Sequence, residues 1–483
     1  MDERYTAARR QHWDRIARLT DRWSGWGGSY QRRLRHVYRL LVPPGLRVLE
    51  LGCGRGDLLA AVEPKAGVGV DFSEEMLARA ARRHPHLQFV LADAHDLGRC
   101  PPGLAGPAGS AGPFDVVILS DLVNDLWDVQ AVLTNVRPLI DSSTRLVFNS
   151  FSRLWQLPLG LAQRLRLATP VLPQNWLTVE DLFNFFRLTD LEPIRHWEEC
   201  LLPLPVPVLE PLCNRILVRL WPLRYLAFAN FVVARPAAAN PPREAPVVSV
   251  VVPARNEEGN IAQIFERTPE MGRGTELIFV EGHSRDRTLA VIEEEIAKRP
   301  ERRARLLRQP GAGKGDAVRH GFAAAGGELL MILDADLSVP PEDLPRVYAA
   351  LSSGKGELAN GVRLIYPMEA KAMRFINLLG NKFFSLAFSW LLGQPIKDTL
   401  CGTKAMFRAD YARIAANRSY FGEFDPFGDF DLLFGAARLN LRIVEIPFRY
   451  RERTYGATNI QRWRHGWLLL RMVLFAARRI KFG

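Results

Sequence analysis

Apolar positions along this chain follow two alternating patterns. Short continuous runs of Val, Ile and Leu are separated by stretches whose apolar residues recur at helical spacing. The runs "RVLELGCG", "VGVDFS", "LQFVLADA", "FDVVILSD" and "RLVFNSF" read as strands, and "SEEMLARAARRH" between two of them reads as a helix. Strands alternating with helices predict a parallel, doubly wound sheet. Ahead of this block, residues 3–42 read as two Arg-rich amphipathic helices around "SGWGGS". The stretch from Cys100 to Pro113 is a loop by composition. From Ser152 to Leu226 the pattern turns aromatic, Leu-rich and Pro-broken, and is read as helices capping the domain, with "FANFVVARP" as its last strand.

The periodicity then vanishes in "RPAAANPPREAP", where Pro and Ala dominate. A fresh strand-turn-helix unit follows at "VVSVVVPARNEEGN", with later strands in "ELIFVEGHSRDRT" and "LLMILDADLS". The predicted organisation is an α/β domain over 1–235, a linker over 236–246, a second α/β domain over 247–460 and a closing helix over 461–483. A length of 483 residues agrees with two cores rather than one. The two halves carry different motifs, so the chain reads as a fusion and not a duplication.

Charge and cysteine content narrow the class. A formal net charge of +12 fits an acidic partner, whether nucleic acid, anionic lipid or a phosphorylated substrate, and equally an Arg-rich surface that keeps the chain in solution. The five cysteines are scattered without a CxxC pair, which supports neither a zinc site nor a disulfide framework and fits a reducing cytoplasm. The N-terminus is charged throughout, so no secretory signal is read there. The longest apolar run, Phe383 to Ile396, is shorter than the ~20 residues of a spanning helix and reads as buried or interfacial. Arg464, Arg471 and Arg478 recur every seventh residue in the closing helix, with Trp463, Trp467, Leu470, Val473 and Leu474 on other faces. That pattern fits an in-plane helix on an anionic membrane surface.

The first candidate site is "ELGCGRG", a strand end opening into a helix. Gly52, Gly54 and Gly56 permit a tight turn and close ligand approach. The spacing is G-x-G-x-G rather than the dinucleotide G-x-G-x-x-G. Preceded by Glu50, it resembles motif I of class I S-adenosylmethionine-dependent methyltransferases. The resemblance implies that Glu50 and the three glycines hold the cofactor. It implies further that Asp71, followed by Phe72, takes the ribose hydroxyls, that Asp93 and Ala94 lie at the adenine, and that Ser120 and Asp121 face the transferred methyl group. His84, His86 and His95 lie nearby and are given no role.

The second candidate site is "LMILDADLSVPPEDL". In an extended segment Asp334 and Asp336 project to one side and Ala335 to the other. Two carboxylates together suit Mg²⁺ or Mn²⁺, whose remaining ligands would come from a diphosphate. With "VVPARNEEGN", "FVEGHSRDRT", "GAGKGDAVRHGF", "DTLCGTKAMFR" and "IPFRYRERTYGATNI" in order, residues 247–480 resemble family 2 glycosyltransferases of the GT-A fold. The likeness is strongest to the dolichol-phosphate-mannose-type synthases. It implies a nucleotide-sugar site of Pro253, Ala254, Arg255, Glu257, Glu281, Lys314, Gly315, Asp334, Ala335 and Asp336. Asp334 and Asp336 would carry the metal, Asp398, Asp429 and Asp431 would line the acceptor side, and Arg451 and Arg453 would clamp a phosphate. Relatives show Asp-Asp-Gly-Ser where this chain has "EGHS", so His283 departs from the pattern, and they often have Lys where Asn459 stands.

The expectation is a two-headed cytoplasmic enzyme of glycan or glycolipid assembly, peripheral on the inner face of the cell membrane. One head transfers a sugar from a nucleotide-sugar to a polyprenyl phosphate or lipid-linked glycan, and the other methylates. The alternatives are a glycosyltransferase with a non-catalytic S-adenosylmethionine-binding scaffold and an RNA methyltransferase fusion, although no nucleic-acid module is read.

Overall fold

The first strand, β1 (Arg47–Leu51), sends successive side chains to opposite faces of its sheet. Val48 joins a core with Tyr38, Val116 and Ile118, whereas Leu49 joins another with Val117, Leu119 and Phe148. Burial on both faces explains why the strand reads as a continuous apolar run. In the computed structural model the described residues are 3–20, 27–99, 113–165, 171–237, 244–363, 375–417, 428–448, 455 and 462–481. They divide into two units, 1–239 and 240–480, with the last three residues assigned to the first.

In the first unit, β1 is followed by β2 (Ala66–Asp71), β3 (Gln88–Leu91), β4 (Val116–Ser120), β5 (Arg145–Phe151), β6 (Leu191–Glu199) and β7 (Ala229–Pro236). Their order in the sheet is β3-β2-β1-β4-β5-β7-β6. β1 to β5 pair in parallel, and β7 runs antiparallel to both β5 and β6. The chain leaves β1 in one direction and returns to β4 on the other side. A crevice therefore opens at the C-terminal ends of β1 and β4, where ligands of such sheets sit.

Helices Glu3–Thr20 and Gly27–Leu41 are present as the pattern predicts. β6 is a correction, because the Ser152–Leu226 stretch reads as helical in sequence. Its apolar alternation is interrupted by Pro193, at a register shift between Pro193 and Arg195 on the sheet edge. Proline is tolerated at such positions, yet it removes the alternation that marks a strand. β7 extends through Arg235 to Pro236, one residue into the expected linker.

The second unit contains β8 (Val248–Ala254), β9 (Thr275–Glu281), β10 (Arg303–Arg308), β11 (Leu329–Ile332), β12 (Leu358–Val362), β13 (Lys404–Phe407) and β14 (Ile443–Pro447). Their order is β10-β9-β8-β11-β13-β12-β14. β8 to β11 are parallel, β13 is antiparallel to β11 and β12, and β14 pairs parallel with β12. The switch point lies between β8 and β11, so the "PARNEE" and "DAD" segments flank one crevice. Helix Phe375–Leu392 buries Phe388, Leu391 and Leu392 and leaves Phe383 and Leu386 exposed. Helix Arg462–Ile480 packs against it, burying Met472, Ala476 and Ala477 and exposing Trp467, Arg471, Leu474 and Arg478. Among the described residues no helix is long and apolar enough to cross a membrane.

Candidate active sites

At the end of β1 the backbone reverses through three left-handed glycines, with φ of 69° at Gly52, 52° at Gly54 and 70° at Gly56. The Gly54 N–H donates to Asp71 Oδ2 at 2.8 Å, tying the turn to the end of β2. The space where a Gly54 Cβ would stand meets nothing within 4 Å, so that side of the turn is open. Ser73 N–H donates to the other Asp71 oxygen at 2.8 Å. Burial outweighs these bonds and pushes Asp71 up to about 6. Phe72, the next residue, is partly exposed.

Glu50 lies beneath the turn, 2% exposed, and its Oε2 has no hydrogen-bond partner. Burial raises its carboxyl well above the usual range. An orphaned oxygen is costly, and a hydrogen-bond donor from a ligand would relieve it. This group, the glycine turn and Asp71 fit an S-adenosylmethionine molecule.

Asp93 Oδ1 accepts from both the backbone N–H and Nδ1 of His95, at 2.9 and 2.7 Å. Burial pushes Asp93 up, but the His95 bonds prevail and hold it below its ordinary value. His95 Nε2 in turn accepts from Asp128 N–H at 3.2 Å, so both ring nitrogens are committed to structure. Ala94 is buried beside it.

Across the crevice, Ser120 ends β4 and Asp121 follows at φ 55°. Asp121 Oδ1 accepts from Tyr30 Oη at 2.8 Å and from Asn149 Nδ2 at 2.5 Å. Tyr38 Oη donates to Asn149 Oδ1 at 2.7 Å. Burial, which the Tyr30 bond only partly offsets, raises Asp121 to about 7. Tyr30, Tyr38 and Asn149 were not legible as site residues, because their partners lie far along the chain.

Helix Glu3–Thr20 runs across the same crevice. Arg9 Nη1 pairs with Asp125 Oδ1 at 2.9 Å and Trp13 Nε1 donates to Asp125 Oδ2 at 3.1 Å. Near the helix's other end, Asp14 Oδ1 accepts from Ser73 Oγ at 2.5 Å, and Arg18 pairs with Glu75. The helix thus bridges from the segment after β4 to the segment after β2 and forms a cover over the glycine turn. The sequence marks it only as a basic amphipathic helix.

In the second unit, the β8 and β9 ends meet through matched pairs. Pro253 lies opposite Val280 and Ala254 opposite Glu281 in register. Asn256 N–H donates to Ser284 Oγ, and Ser284 N–H to Glu281 Oε1 at 2.5 Å. Glu257 is buried, its Oε2 accepting from Asn260 at 2.8 Å, while Arg255 is exposed. His283 adopts a glycine-like φ of 56°. Its Nε2 lies 3.1 Å from Gly311 O, tying the loop after β9 to the glycine-rich segment before Lys314. Tyr455 Oη donates to Glu258 Oε1 at 3.0 Å.

β11 ends at Ile332, and Asp334, Ala335 and Asp336 occupy a turn closed by Leu337 N–H to Asp334 O at 3.2 Å. The expected extended geometry is corrected: a turn, not strand alternation, presents the two carboxylates, while Ala335 is buried. Pairing has already stopped at Ile332, and Leu337 completes the turn at φ 54°. Asp334 Oδ1 lies 2.5 Å from Lys314 Nζ, and both side chains remain one-quarter exposed. Burial pushes Asp334 up, yet Lys314, with Arg363 and Lys404 behind it, holds it below the usual carboxylate range. Asp336 Oδ1 accepts from Ser338 N–H at 3.0 Å. Among the described residues no group of three or more His, Cys, Asp and Glu forms a metal cluster. The donor chemistry of two carboxylates suits Mg²⁺ or Mn²⁺.

Two further segments close on this point. A Cβ at Gly402 would fall 2.0 Å from Lys314 Nζ and 2.1 Å from Asp334 Oδ2. A Cβ at Gly428, the N-cap of helix Asp429–Arg438, would fall 2.7 Å from Gly315 Cα. Arg319 Nη1 then reaches Asp431 Oδ2 at 3.4 Å. Asp398 is a correction to the acceptor-side assignment. It is fully buried, its oxygens taken by Arg363 Nε at 2.7 Å, Arg363 Nη2 at 2.9 Å, Asn381 and Leu400 N–H. Despite burial, the Arg363 guanidinium draws it down to about 2. Both oxygens are committed inside the fold, so it positions the loop and does not face an acceptor. Arg451, Arg453 and Asn459 lie outside the described residues, as does the side chain of Asp429.

Known proteins share both halves. Residues 49–146 match the methyltransferase domain family, and residues 249–414 match glycosyl transferase family 2. An undecaprenyl-phosphate 4-deoxy-4-formamido-L-arabinose transferase from Edwardsiella ictaluri is 28% identical over 216 residues, covering 43% of this chain and 61% of the relative. A dolichol-phosphate mannosyltransferase from Pyrococcus furiosus is 27% identical over 220 residues, covering 44% of this chain and 59% of the relative. The chain thus spans about 60% of the length of these curated relatives. Glucosyl-3-phosphoglycerate synthase from Mycobacterium tuberculosis, solved with Mn²⁺, uridine diphosphate and product, is 21% identical with a TM-score of 0.37, covering 49% of this chain and 81% of that chain. One half of the chain thus matches a methyltransferase domain and the other glycosyl transferase family 2, each with its matched motifs at the switch point of its own seven-stranded sheet.

Proposed function

We propose that the second unit transfers a sugar from a nucleotide-sugar to a polyprenyl phosphate or lipid-linked glycan, and that the first methylates an acceptor with S-adenosylmethionine. The observation that carries the reading is the meeting of Lys314, Asp334 and Gly402 at the switch point, from three motifs separated in sequence. The undecaprenyl-phosphate and dolichol-phosphate relatives support the acceptor class.

Sugar transfer breaks the bond between the sugar C1 and the diphosphate and forms one from C1 to the acceptor oxygen. Asp334 and Asp336 would hold Mg²⁺ or Mn²⁺, which would supply charge stabilisation to the departing diphosphate. Pro253, Ala254, Arg255, Glu257 and Glu281 form the nucleotide cradle, and Lys314 adds a positive charge beside it. Arg451 and Arg453 are proposed to grip phosphate oxygens bidentately. A lipid monophosphate is already largely ionised near neutrality, its second pKa being about 6, so no strong base is needed. Asp431, paired with Arg319, and Asp429 then orient the acceptor.

In the first unit the N-terminal cover and glycine turn hold the cofactor, and alignment supplies most of the rate. Asp121 takes the proton when the acceptor is a hydroxyl. The protein works in the cytoplasm, with Trp467, Arg471, Leu474 and Arg478 of the closing helix at the inner face of the membrane. Incubation with a nucleotide-sugar panel, polyprenyl phosphate and Mn²⁺ tests the sugar reading. Release of nucleoside diphosphate only when both substrates are present supports it, and no release with any donor rejects it.

A further inference from the structure

The antiparallel pair β6–β7 needs only a short hairpin, yet residues 200–228 separate the two strands. This segment adds little to the core. It exposes Val208, Leu209, Leu212, Ile216, Leu220, Trp221, Tyr225 and Leu226, with Val208 at 77% and Trp221 at 76%. A second segment does the same. Helix Gln156–Arg164 contains no fully buried residue, and Leu154, Leu157, Leu161 and Leu165 line one exposed side, Leu157 at 83%. The two segments are joined at their bases, where Trp155 Nε1 donates to Leu226 O at 2.9 Å and the Trp155 ring packs on Phe228 at 5.2 Å. The exposed apolar side chains therefore belong to one region of the first unit.

Soluble proteins seldom leave so many large apolar side chains together in water. The charge around them specifies the partner. Arg153, Arg164 and Arg215 are exposed at the margins and Arg224 is partly so, whereas Glu210 is the one acidic residue in 153–165 and 203–228. Apolar side chains, aromatic Trp221 and Tyr225, and a rim of arginines form the combination that enters the headgroup layer of an anionic bilayer.

We propose that residues 154–165 and 208–226 are a membrane-docking surface of the methyltransferase unit, selective for bilayers with anionic headgroups. Leucines and Trp221 enter the acyl boundary and the arginines meet lipid phosphates. The proposal does not rest on the sugar-transfer reading. A docked methyltransferase unit would meet lipid-borne acceptors directly.

The test is sedimentation of the full chain with phosphatidylcholine vesicles, with and without about one-third phosphatidylglycerol. Four proteins are compared: wild type, Leu157→Glu/Leu161→Glu, Ile216→Glu/Trp221→Glu, and Arg471→Glu/Arg478→Glu on the closing helix. The substituted side chains are all exposed, and thermal melting checks that each protein folds. Binding to anionic vesicles that falls about tenfold or more in both of the first two variants supports the proposal. A further loss when either is combined with the closing-helix variant shows that the two surfaces act separately. Wild type that ignores anionic vesicles, or Glu variants that sediment as wild type does, overturns it. So does light scattering showing a wild-type dimer that these variants dissociate with vesicle binding unchanged, since the surface then binds a second copy.

Discussion

Lys314 Nζ lies 2.5 Å from Asp334 Oδ1, and Gly402 passes so close that a single methyl group there would collide with both. The ion pair and the glycine come from different motifs, yet they define one point. An Ala at 402 would displace the Lys314 ammonium and the Asp334 carboxylate, both ends of side chains that can move. Gly402→Ala is therefore expected to fold with a melting temperature near wild type. Its kcat/KM for sugar transfer should fall about 10–100-fold, since about 1.4 kcal/mol of lost transition-state stabilisation is a factor of ten. Steady-state kinetics beside a thermal melt check this.

Asp398 behaves as a stabilising anchor. Its carboxyl is drawn down to about 2 in the fold from an ordinary value of 3.8. A depressed carboxyl contributes stability that is present above the ordinary value and lost as pH falls through the folded one. Wild type should lose this contribution between about pH 4 and pH 2. Asp398→Asn strands Arg363 without its partner and should cost about 3–5 kcal/mol at neutral pH. Chemical denaturation at several pH values measures both.

Glu50 is predicted to separate stability from cofactor affinity. Its carboxyl is held high by burial, so Gln closely imitates the protonated group. Glu50→Gln should leave the melting temperature of the cofactor-free protein nearly unchanged. It should weaken S-adenosylmethionine binding about tenfold, because the amide sets an N–H where a ligand donor would meet a carboxyl oxygen. Calorimetric titration beside a melt distinguishes the two effects.

Asp121 gives the methyl-transfer half a pH signature. Its carboxyl titrates near 7, above an ordinary 3.8, so a base role makes the rate rise with pH to a plateau above that midpoint. The groups facing it are Tyr30, Asn149 and Asp125. Removing the Tyr30 hydroxyl takes away a bond that favours the carboxylate, so Tyr30→Phe should move the midpoint upward. Asp121→Asn should abolish the rising limb. The stability sign is opposite to that of Asp398: a raised carboxyl gives up stability as pH rises from about 4 through 7. A pH–rate profile with a hydroxyl-bearing acceptor reads the first effect and denaturation the second.

The strand ends that carry chemistry are legible in the sequence because glycine, charge and apolar runs are local signals. β1, β2, β4, β8 and β9 fall where the pattern puts them; Glu50, Asp71 and Glu281 lie at their C-terminal ends, and Asp121 and Glu257 in the loops that follow. What is missed depends on distant partners. β6 hides behind Pro193 and a register shift at the sheet edge. The cover helix is fixed by Arg9 meeting Asp125, and the Asp121 network by Tyr30 and Asn149. Asp398 reads as a site residue because it follows a site-like motif, whereas Arg363 and Asn381 enclose it. The turn at Asp334 includes a positive φ at Leu337, which that residue type does not announce.

The central claim is that Asp334 and Asp336 hold a divalent cation against the departing diphosphate. The direct measurement is nucleoside diphosphate release from a nucleotide-sugar and polyprenyl phosphate, with Mn²⁺ titrated from excess chelator upward. The account predicts no turnover in chelator, saturable recovery with metal, and loss of that recovery in Asp336→Asn. Full turnover in chelator, or a metal response in Asp334→Asn/Asp336→Asn equal to that of wild type, would contradict it.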